Sequence, residues 1–392
     1  MIETDIGKVI NNWKVVSVKD VADINIRNIN RNYPYRKIKY IDISSVENRN
    51  INEYQDLDIN EAPSRAKRII KENDILISTV RPNLKHFTFA KKVPENSIAS
   101  TGFAIITAKN IVPYYLYYCL TNDHYTSYLT QIADTHTSTY PAFNTDIIEK
   151  SKIPYPPLKE QKAIAGVLSA FDDKIELLSK QNETLENIAQ AIFKHWFIDK
   201  TKNKMSIKKL VEIADFLNGL ACQKYPPENE FEKLPVLKIR ELRNGLSDNT
   251  DYASTKVNKK YIVNCGDVIF SWSGSLMIKI WNGERCVLNQ HLFKVTSKLY
   301  PKWFYYLWIK YYLDKFIGIA SGKATTMGHI KRSDLNEVEV LCPIEKNLKY
   351  FNNIFDPIYN KKINNFKQIR TLTNLRDTLL SKLMSGEIRV KY

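Results

Sequence analysis

The chain has 392 residues, of which 44% are hydrophobic and 26% are charged, and Lys plus Arg exceed Asp plus Glu by 58 − 42 = +16. This composition supports two or three folded domains and excludes global disorder, and the positive charge predicts a polyanionic or acidic partner. The five cysteines include no C-x-x-C pair, which excludes a zinc ribbon and a disulfide scaffold and indicates the reducing cytoplasm. No secretory signal is expected, and the longest uncharged stretch, 110–122, is too short to span a bilayer.

The sequence lacks the usual motifs of catalysis. There is no G-x-G-x-x-G, and the stretch from Gly318 to Lys323 is one residue short of a Walker loop and is followed by Ala324 where Mg²⁺ needs a hydroxyl group. Glu160 and Lys162 have the E-x-K spacing of restriction nucleases, but no Pro-Asp precedes them and they lie at a predicted helix start. We therefore expect no catalytic site, no bound cofactor and no metal ion in this chain.

Each half of the sequence predicts a strand followed by a buried helix. Residues 74–80 form a short apolar run typical of a strand, and the tyrosine-rich run 115–120 indicates a buried helix. The same order recurs with a strand at 267–271 and an aromatic helix at 303–308. These aromatic side chains could stack on bases, but at helical spacing they are more often core residues.

A long helix follows the first globular region. From Ile164 onward, apolar or small residues recur alternately four and three positions apart, with only Asn182 polar, which predicts a coiled-coil helix. The series continues through Leu168, Phe171, Ile175, Leu178, Leu185, Ala189, Ile192 and Trp196.

A second, less regular heptad series lies near the end of the chain. Lys362, Asn365 and Arg376 interrupt it, and Ile363 and Phe366 lie one position off, so we predict a local register shift in the middle of this helix. The residues that keep the register include Phe351, Phe355, Ile358, Ile369, Leu372, Leu379 and Leu383.

The two halves are copies of one plan. Residues 183–197 align with 370–384 at an offset of 187, and the strand and helix matches occur in the same order. The sequence therefore predicts an α+β (mixed α/β) fold made by tandem duplication of a globular domain plus a long helix. The charges of 159–200 (6 − 7 = −1) and 345–392 (10 − 4 = +6) attract, so the helices are predicted to pair as an antiparallel coiled coil. About 35 to 40 helical residues would hold two globular units roughly 50 to 60 Å apart.

Both helical regions carry motifs of a known family. Residues 153–168 with 172–176 resemble the central conserved region of type I restriction-modification specificity subunits, and 375–390 resemble their C-terminal conserved region. The resemblance covers the whole chain in layout. It implies four regions: target recognition domain 1 (1–155), the central conserved helix (156–200), target recognition domain 2 (201–344) and the C-terminal conserved helix (345–392).

The resemblance implies a noncatalytic DNA-recognition subunit. Each target recognition domain would read one half of a bipartite, asymmetric site in double-stranded DNA, while the helices would set the spacer and dock two methyltransferase subunits. S-adenosylmethionine is then expected on those subunits, and ATP and Mg²⁺ on partner subunits that include restriction subunits. Glu160 and Gln161 are docking candidates, and because Lys346 and Asn347 stand at the corresponding place, the equivalence of the two docking surfaces is left open.

DNA-binding candidates come from basic-polar stretches and from loops rich in hydroxyl groups. Cations neutralise phosphates and shaped donors read base edges, although exposure to solvent alone explains many surface cations. The family carries a small, hydroxyl- and glycine-bearing loop where this chain has 135–140 and 322–326. In the first domain the candidates are Arg36, Lys37, Arg65, Lys67, Arg81, Lys85, His86, Thr137, Ser138, Thr139 and Tyr140. In the second they are Lys238, Arg240, Arg243, Ser273, Ser275, Lys323, Thr325 and Thr326.

An alternative hypothesis is a noncatalytic coiled-coil scaffold whose globular ends bind protein or RNA. It shares the duplication and the helices with the first hypothesis but needs no duplex DNA. Binding to a pool of DNA duplexes at low salt would distinguish the two.

Overall fold

The chain divides into two compact units in a computed structural model that describes residues 1–47, 49–136, 141–199, 205–247, 249–322 and 328–391. Unit 1 consists of Met1–Asp173 and Thr373–Tyr392, and unit 2 consists of Lys174–Leu372. Each unit therefore contains one globular domain and a segment of each long helix. The sequence had placed the helices in regions of their own.

Unit 1 combines short strands with helices. Its strands are β1 (Ile2–Thr4), β2 (Gly7–Val9), β3 (Lys14–Ser17), β4 (Ala22–Ile24), β5 (Lys37–Ile41), β6 (Val46–Glu47), β7 (Asn50–Ile51), β8 (Gln55–Asp58), β9 (Ala66–Ile69), β10 (Ile75–Ser78), β11 (Phe87–Phe89), β12 (Ser97–Ser100), β13 (Phe103–Ala108) and β14 (Lys152–Tyr155). Its helices are α1 (Val18–Val21), α2 (Pro113–Leu120), α3 (Asp123–His136), α4 (Thr145–Lys150) and the first part of α5 (Leu158–Phe193).

Two four-stranded sheets organise unit 1. One has the order β11-β10-β13-β4 with antiparallel neighbours, and the other has the order β8-β5-β12-β9 with a parallel β5–β12 pair. Helix α2 packs into the core, where Tyr115 and Tyr118 are 0% exposed. The tyrosine-rich run is therefore core, because burying large aromatic surfaces stabilises the fold.

Unit 2 is built in the same way. A π-helical turn at Lys194–Asp199 follows α5. The strands are β15 (Met205–Lys209), β16 (Asp215–Asn218), β17 (Lys233–Leu237), β18 (Tyr252–Ser254), β19 (Ile262–Val263), β20 (Val268–Ser271), β21 (Met277–Ile280), β22 (Cys286–Leu288), β23 (Leu292–Thr296) and β24 (Glu339–Pro343). The helices are α6 (Leu210–Ile213), α7 (Ile239–Asn244), α8 (Lys302–Tyr311), α9 (Leu313–Gly322), α10 (Arg332–Asn336) and α11 (Glu345–Ser385), whose end belongs to unit 1.

The strand order of unit 2 repeats that of unit 1. The sheet β21-β20-β23-β16 matches β11-β10-β13-β4, and β18-β17-β22-β19 matches β8-β5-β12-β9, again with one parallel pair, β17–β22. The pair β15–β24 likewise corresponds to β3–β14. The predicted tandem duplication is therefore confirmed at the level of sheet topology.

Helices α5 and α11 run antiparallel in each unit. In unit 1, Arg376 donates to Asp172 (2.7 Å), and in unit 2 the amide of Asn365 donates to Asn182 (2.9 Å). Every position of the first predicted heptad series, from Ile164 in α5 to Trp196 in the π-helical turn that follows it, is buried or half-buried. The predicted antiparallel pairing is confirmed.

The predicted register shift in α11 is wrong. Lys362, Asn365 and Arg376 are 8%, 0% and 8% exposed, so they occupy the heptad seam instead of interrupting it. Each finds a polar partner on α5, which is why the seam accepts them. The continuous series of buried and half-buried positions is Ile358, Lys362, Asn365, Ile369, Leu372, Arg376, Leu379 and Leu383.

Candidate nucleic-acid interface

In unit 1, the turn after β10 lies beside the segment that follows residues 137–140. Val80 forms a backbone bridge with Ala142, and the Arg81 N–H donates to the Pro141 carbonyl (2.7 Å). The structure thereby brings the Arg81–His86 turn to the end of the predicted hydroxyl-rich loop. The loop candidates themselves lie outside the described residues: Thr137, Ser138, Thr139 and Tyr140.

This turn holds two basic residues in an unusual backbone conformation. Arg81 (φ 49°) and Lys85 (φ 55°) are both left-handed, which is uncommon for residues other than glycine and is found where surrounding structure enforces it. The Lys85 ammonium pairs with Asp123 (2.7 Å) and stays 46% exposed. His86 is tied to the backbone, with Nδ1 at 2.6 Å from the Val46 carbonyl, so its ring is less free to read a base than predicted.

The other predicted cations of unit 1 fall into two separate pairs. Arg36 and Lys37 lie at the start of β5, whereas Arg65 and Lys67 lie at the start of β9, which runs antiparallel to β12 and so begins beside the end of β5. At about 3.3 Å per residue, the length of β5 separates them by more than 10 Å. The Arg36 guanidinium donates to Asp58 (2.8 Å) and holds the pKa of that carboxyl below its ordinary value.

Unit 2 repeats the arrangement of the turn. Ser273, which follows β20, forms a backbone bridge with His329, and the Gly274 N–H donates to the Gly328 carbonyl (2.9 Å). Ser273 is 5% exposed, whereas Ser275 is exposed. The candidates in the loop just before Gly328 lie outside the described residues: Lys323, Thr325 and Thr326.

A short basic helix joins the turn in unit 2. Helix α7 follows β17 directly, and Gly274 lies so close to it that an added Cβ would be 3.7 Å from Ile239 Cδ1. The Lys279 ammonium, on β21, also donates to the Arg243 carbonyl (2.8 Å). Lys238 precedes α7, and the structure therefore brings it close to the turn, whereas unit 1 has Asp42 directly after the corresponding strand β5.

Two cations at the start of this helix, Lys238 and Arg240, differ in how firmly they are held. Lys238 pairs with Asp251, which is itself 61% exposed, and lowers the pKa of that carboxyl by a hydrogen bond. Exposed pairs of this kind contribute little stability, so a phosphate can replace the carboxylate. Arg240 instead pairs with Glu241 (2.7 Å), which is 1% exposed, and donates to the Asn249 carbonyl (2.6 Å). Arg240 therefore serves to neutralise a buried carboxylate.

Unit 2 also carries a polar aromatic cluster that the sequence did not reveal. The Trp272 indole N–H donates to Asn218 (3.1 Å), and its ring centroid lies 6.0 Å from that of His291 and 6.4 Å from that of His329. The Gln290 amide nitrogen lies 3.3 Å from His291 Nε2. Asn218, His291 and His329 are exposed. These residues come from four separate segments, so no local pattern could have found them.

Equivalent positions of the two units carry different chemistry. Because the two bridges correspond, Thr79 of unit 1 stands where unit 2 has Trp272, and Ala142 stands where unit 2 has His329. One unit thus presents small side chains at this place, and the other presents an indole and two imidazoles. Shared backbone geometry with different donors is what reading two different base sequences requires.

Metal-binding groups and reactive thiols are two features of the described residues that bear on catalytic chemistry. No group of three or more His, Cys, Asp or Glu side chains among them could hold a metal ion. Burial raises the pKa of the Cys119 and Cys286 thiols, which disfavours the nucleophilic thiolate. In the same part of the chain, no helix is long and apolar enough to cross a membrane.

The docking role predicted for Glu160 and Gln161 needs correction. Both are 0% exposed. The Glu160 carboxylate accepts from Arg389 (2.7 and 2.8 Å) and from the Trp13 indole (3.2 Å). Gln161 bonds the backbone of unit 1, since its amide nitrogen donates to the Pro156 carbonyl (2.9 Å). These side chains fasten α5 and the end of the chain to unit 1 and are not available to another subunit in this structure.

The heptad residues of the two predicted helices lie along the helix seam. They are buried or half-buried, which leaves much of their apolar surface covered. This group comprises Ile164, Leu168, Phe171, Ile175, Leu178, Leu185, Ile192, Trp196, Ile358, Leu372, Leu379 and Leu383.

The chain is similar to known proteins along nearly its whole length. A family model for the type I restriction modification DNA specificity domain matches it twice, at residues 10–187 and 202–374. It is 30% identical over 433 residues to the type I restriction enzyme MjaIX specificity subunit of Methanocaldococcus jannaschii, with 99% of this chain and 96% of that protein covered. It is 23% identical to the type I restriction enzyme HindI specificity subunit of Haemophilus influenzae, with 96% and 100% covered.

A solved structure shares the fold. The S subunit of a type I restriction-modification system from M. genitalium matches with a TM-score of 0.55 at 16% identity, and the match covers 98% of this chain and 99% of that one. At this identity the likeness concerns architecture alone.

Proposed function

This chain belongs to the type I restriction-modification DNA specificity family, and from that premise we propose that it is a noncatalytic subunit that recognises a bipartite, asymmetric sequence in double-stranded DNA. Each unit reads one half of the sequence. In each unit the reading surface is the turn after β10 or β20 together with the segment paired to it. The net charge of +16 supports a polyanionic partner.

One observation carries this proposal above the others. The two units repeat one strand order and one pairing of the turn, yet the side chains presented there differ. A duplicated protein-binding scaffold does not need the same backbone geometry in both units together with different polar side chains at equivalent positions. Two readers of unlike DNA half-sites do, because specificity lies in the donors and acceptors at base edges.

The two units also differ in how they meet the backbone of DNA. Lys238 and Arg243 flank the turn of unit 2 and supply phosphate contacts, and Lys85 supplies one in unit 1. Trp272 and the two imidazoles beside it then contact base edges or stack on an exposed base. The remaining sequence-predicted candidates stay candidates for the same role.

We further propose that the long helices set the length of the unspecified spacer in the recognised sequence and dock two methyltransferase subunits. Ile188 and Leu375, which lie 187 positions apart in equivalent places of α5 and α11, are 44% and 48% exposed. Repeated exposed apolar residues on paired helices suit two copies of one partner. S-adenosylmethionine belongs to those methyltransferase subunits, and ATP and Mg²⁺ belong to partners that include restriction subunits, in the cytoplasm.

The test is to purify the chain with its methyltransferase partner and to map the methylated positions in genomic DNA. The proposal predicts one motif in which two unlike specified parts flank an unspecified spacer. Methylation at an unsplit motif, or at a palindromic one, would contradict it. The free chain serves as the control and should bind duplex DNA without methylating it.

A further inference from the structure

The seam between α5 and α11 contains buried charges that pair across it. In unit 1, Asp172 accepts from Arg376 (2.7 Å) and from the Tyr118 hydroxyl (2.7 Å). In unit 2, Glu186 pairs with Lys362 and with Lys310 (2.5 Å). In both units the carboxylate lies on α5 and its partner cation lies on α11.

These polar residues are not repeated between the two helices. The helices begin at Leu158 and Glu345, so equivalent positions differ by 187. At six positions along the seam, one helix has a charged or amide side chain that pairs across it, and the other helix has an uncharged residue without an amide. The equivalent pairs are Asp172 and Tyr359, Asn182 and Ile369, Glu186 and Thr373, Ile175 and Lys362, Leu178 and Asn365, and Ala189 and Arg376.

The antiparallel register shows what a helix would meet in a second copy of itself. The residue numbers of the two ion pairs, Asp172 with Arg376 and Glu186 with Lys362, both sum to 548, which defines the register between α5 and α11. If α5 paired with another α5 in the equivalent register, Asp172 would face Ala189 and Glu186 would face Ile175. Each such pair would bury four carboxylates deprived of their cations from α11.

The domain packed against the helix would not restore a cation beside Glu186. Tyr306 and Lys310 of α8 both reach Glu186, and their equivalents near α2 are Tyr118 and Asn122. The tyrosine is therefore kept, but the ammonium is replaced by an amide. A pair of α11 helices fails in the opposite sense, since Lys362 would face Thr373 and Arg376 would face Tyr359. Breaking a buried ion pair by removing one partner is strongly destabilising.

We propose that α5 and α11 select each other by this charge arrangement, so that neither helix pairs with a second copy of itself. Any assembly made from this chain then combines one domain of each kind, even when halves are exchanged between molecules. The pairing does not depend on DNA. Its consequence, that the recognised site is always asymmetric, rests on the proposed function.

The experiment introduces into the full chain the residues that each helix would face if it paired with a second copy of itself. Variant A carries Lys310→Asn, Lys362→Ile and Arg376→Ala, which gives α5 the surroundings of an α5 pair. Variant B carries Asp172→Tyr and Glu186→Thr, which gives α11 those of an α11 pair. Variant AB carries all five substitutions. The control, Lys349→Ala, removes an exposed pair with Glu345 on the same helix.

Unfolding in urea at pH 7.5 is measured for all variants. We expect A and B each to raise the equilibrium constant for unfolding by about 100-fold or more, and the control to leave it unchanged. The unfolding constant of AB should rise by less than the product of the increases in A and B, because AB removes both members of each ion pair that joins α5 to α11. A variant A or B that does not fold, rescued in AB, supports the proposal in the same way.

Wild-type stability in A and B would overturn the proposal. An unfolding constant of AB that rises by the full product of the increases in A and B would also overturn it, since packing and not charge would then determine which helices pair. No DNA or methyltransferase is present. Failure here is thus distinguishable from failure of the proposed function, which the methylation map decides.

Discussion

Removing two cations beside the unit 2 turn should weaken DNA binding in a way that depends on salt. The change is Lys238→Gln with Arg243→Gln. Lys238 is held only by an exposed carboxylate and Arg243 is exposed, so both are available to phosphates. Arg240 is left in place because it neutralises the buried Glu241.

The expected magnitude follows from the two phosphates that the variant no longer neutralises. Each neutralised phosphate contributes about 0.9 to the slope of log affinity against log salt concentration, so two phosphates contribute about 1.8. Between 50 and 200 mM salt, the affinity of the wild-type chain should therefore fall by about tenfold more than that of the variant. The recognised sequence should not change, because phosphates carry no sequence information directly.

The assay is fluorescence anisotropy of the complex with its methyltransferase partner on a labelled duplex over a salt series. The matched control is Lys298→Gln, a single exposed lysine beyond the far end of β23, at which no change in slope is expected. An unchanged slope in the double variant would refute the placement of α7 against DNA. A slope that falls equally in the control would show that the effect is one of net charge.

Three further predictions concern the site and the seam. Arg389→Ala should lower the free energy of unfolding, measured in thermal melts, by about 1–2 kcal/mol. This is less than the cost of breaking a fully buried ion pair, because half of the Arg389 side chain is exposed. Adding Glu160→Gln should recover part of the loss. Burial acts to raise the pKa of Glu186, but the ammonium groups of Lys362 and Lys310 outweigh burial and hold that pKa below its ordinary value. The stability that Glu186→Gln removes should therefore be full at pH 7 and be lost as the pH falls through the folded-state pKa. Urea unfolding at a series of pH values checks this, and a difference between wild type and variant that does not change with pH would contradict it. Trp272→Ala should alter methylation at one half of the motif only, and a change in both halves would argue against its place in a single reader.

The long helices and the duplication were largely predictable from sequence. Heptad spacing indicated helices within 156–200 and 345–392, and the structure has them at Leu158–Phe193 and Glu345–Ser385. The strands at 74–80 and 267–271 were found because short apolar runs bounded by polar residues are typical of buried strands. These features follow from periodic patterns within short stretches of sequence, so their prediction required no knowledge of tertiary contacts.

Residues whose role depends on a distant partner were misjudged. Lys362 was taken as a break in the heptads because an apolar pattern does not recognise a polar residue that has a partner across the seam. Glu160 was expected to be exposed, as charged residues usually are, but Arg389 lies 229 positions away in sequence and covers it. The cluster around Trp272 escaped notice for the same reason, since sheet order alone assembles it.

The most direct test of the central claim is to exchange one target recognition domain. Residues 201–344 would be replaced by the corresponding domain of the Methanocaldococcus jannaschii relative, and methylated DNA would be sequenced for the parent and the chimera. If each unit reads one half-site, one specified part of the motif changes while the other part and the spacer length stay as they were. A chimera that changes both parts, or neither, would contradict the account.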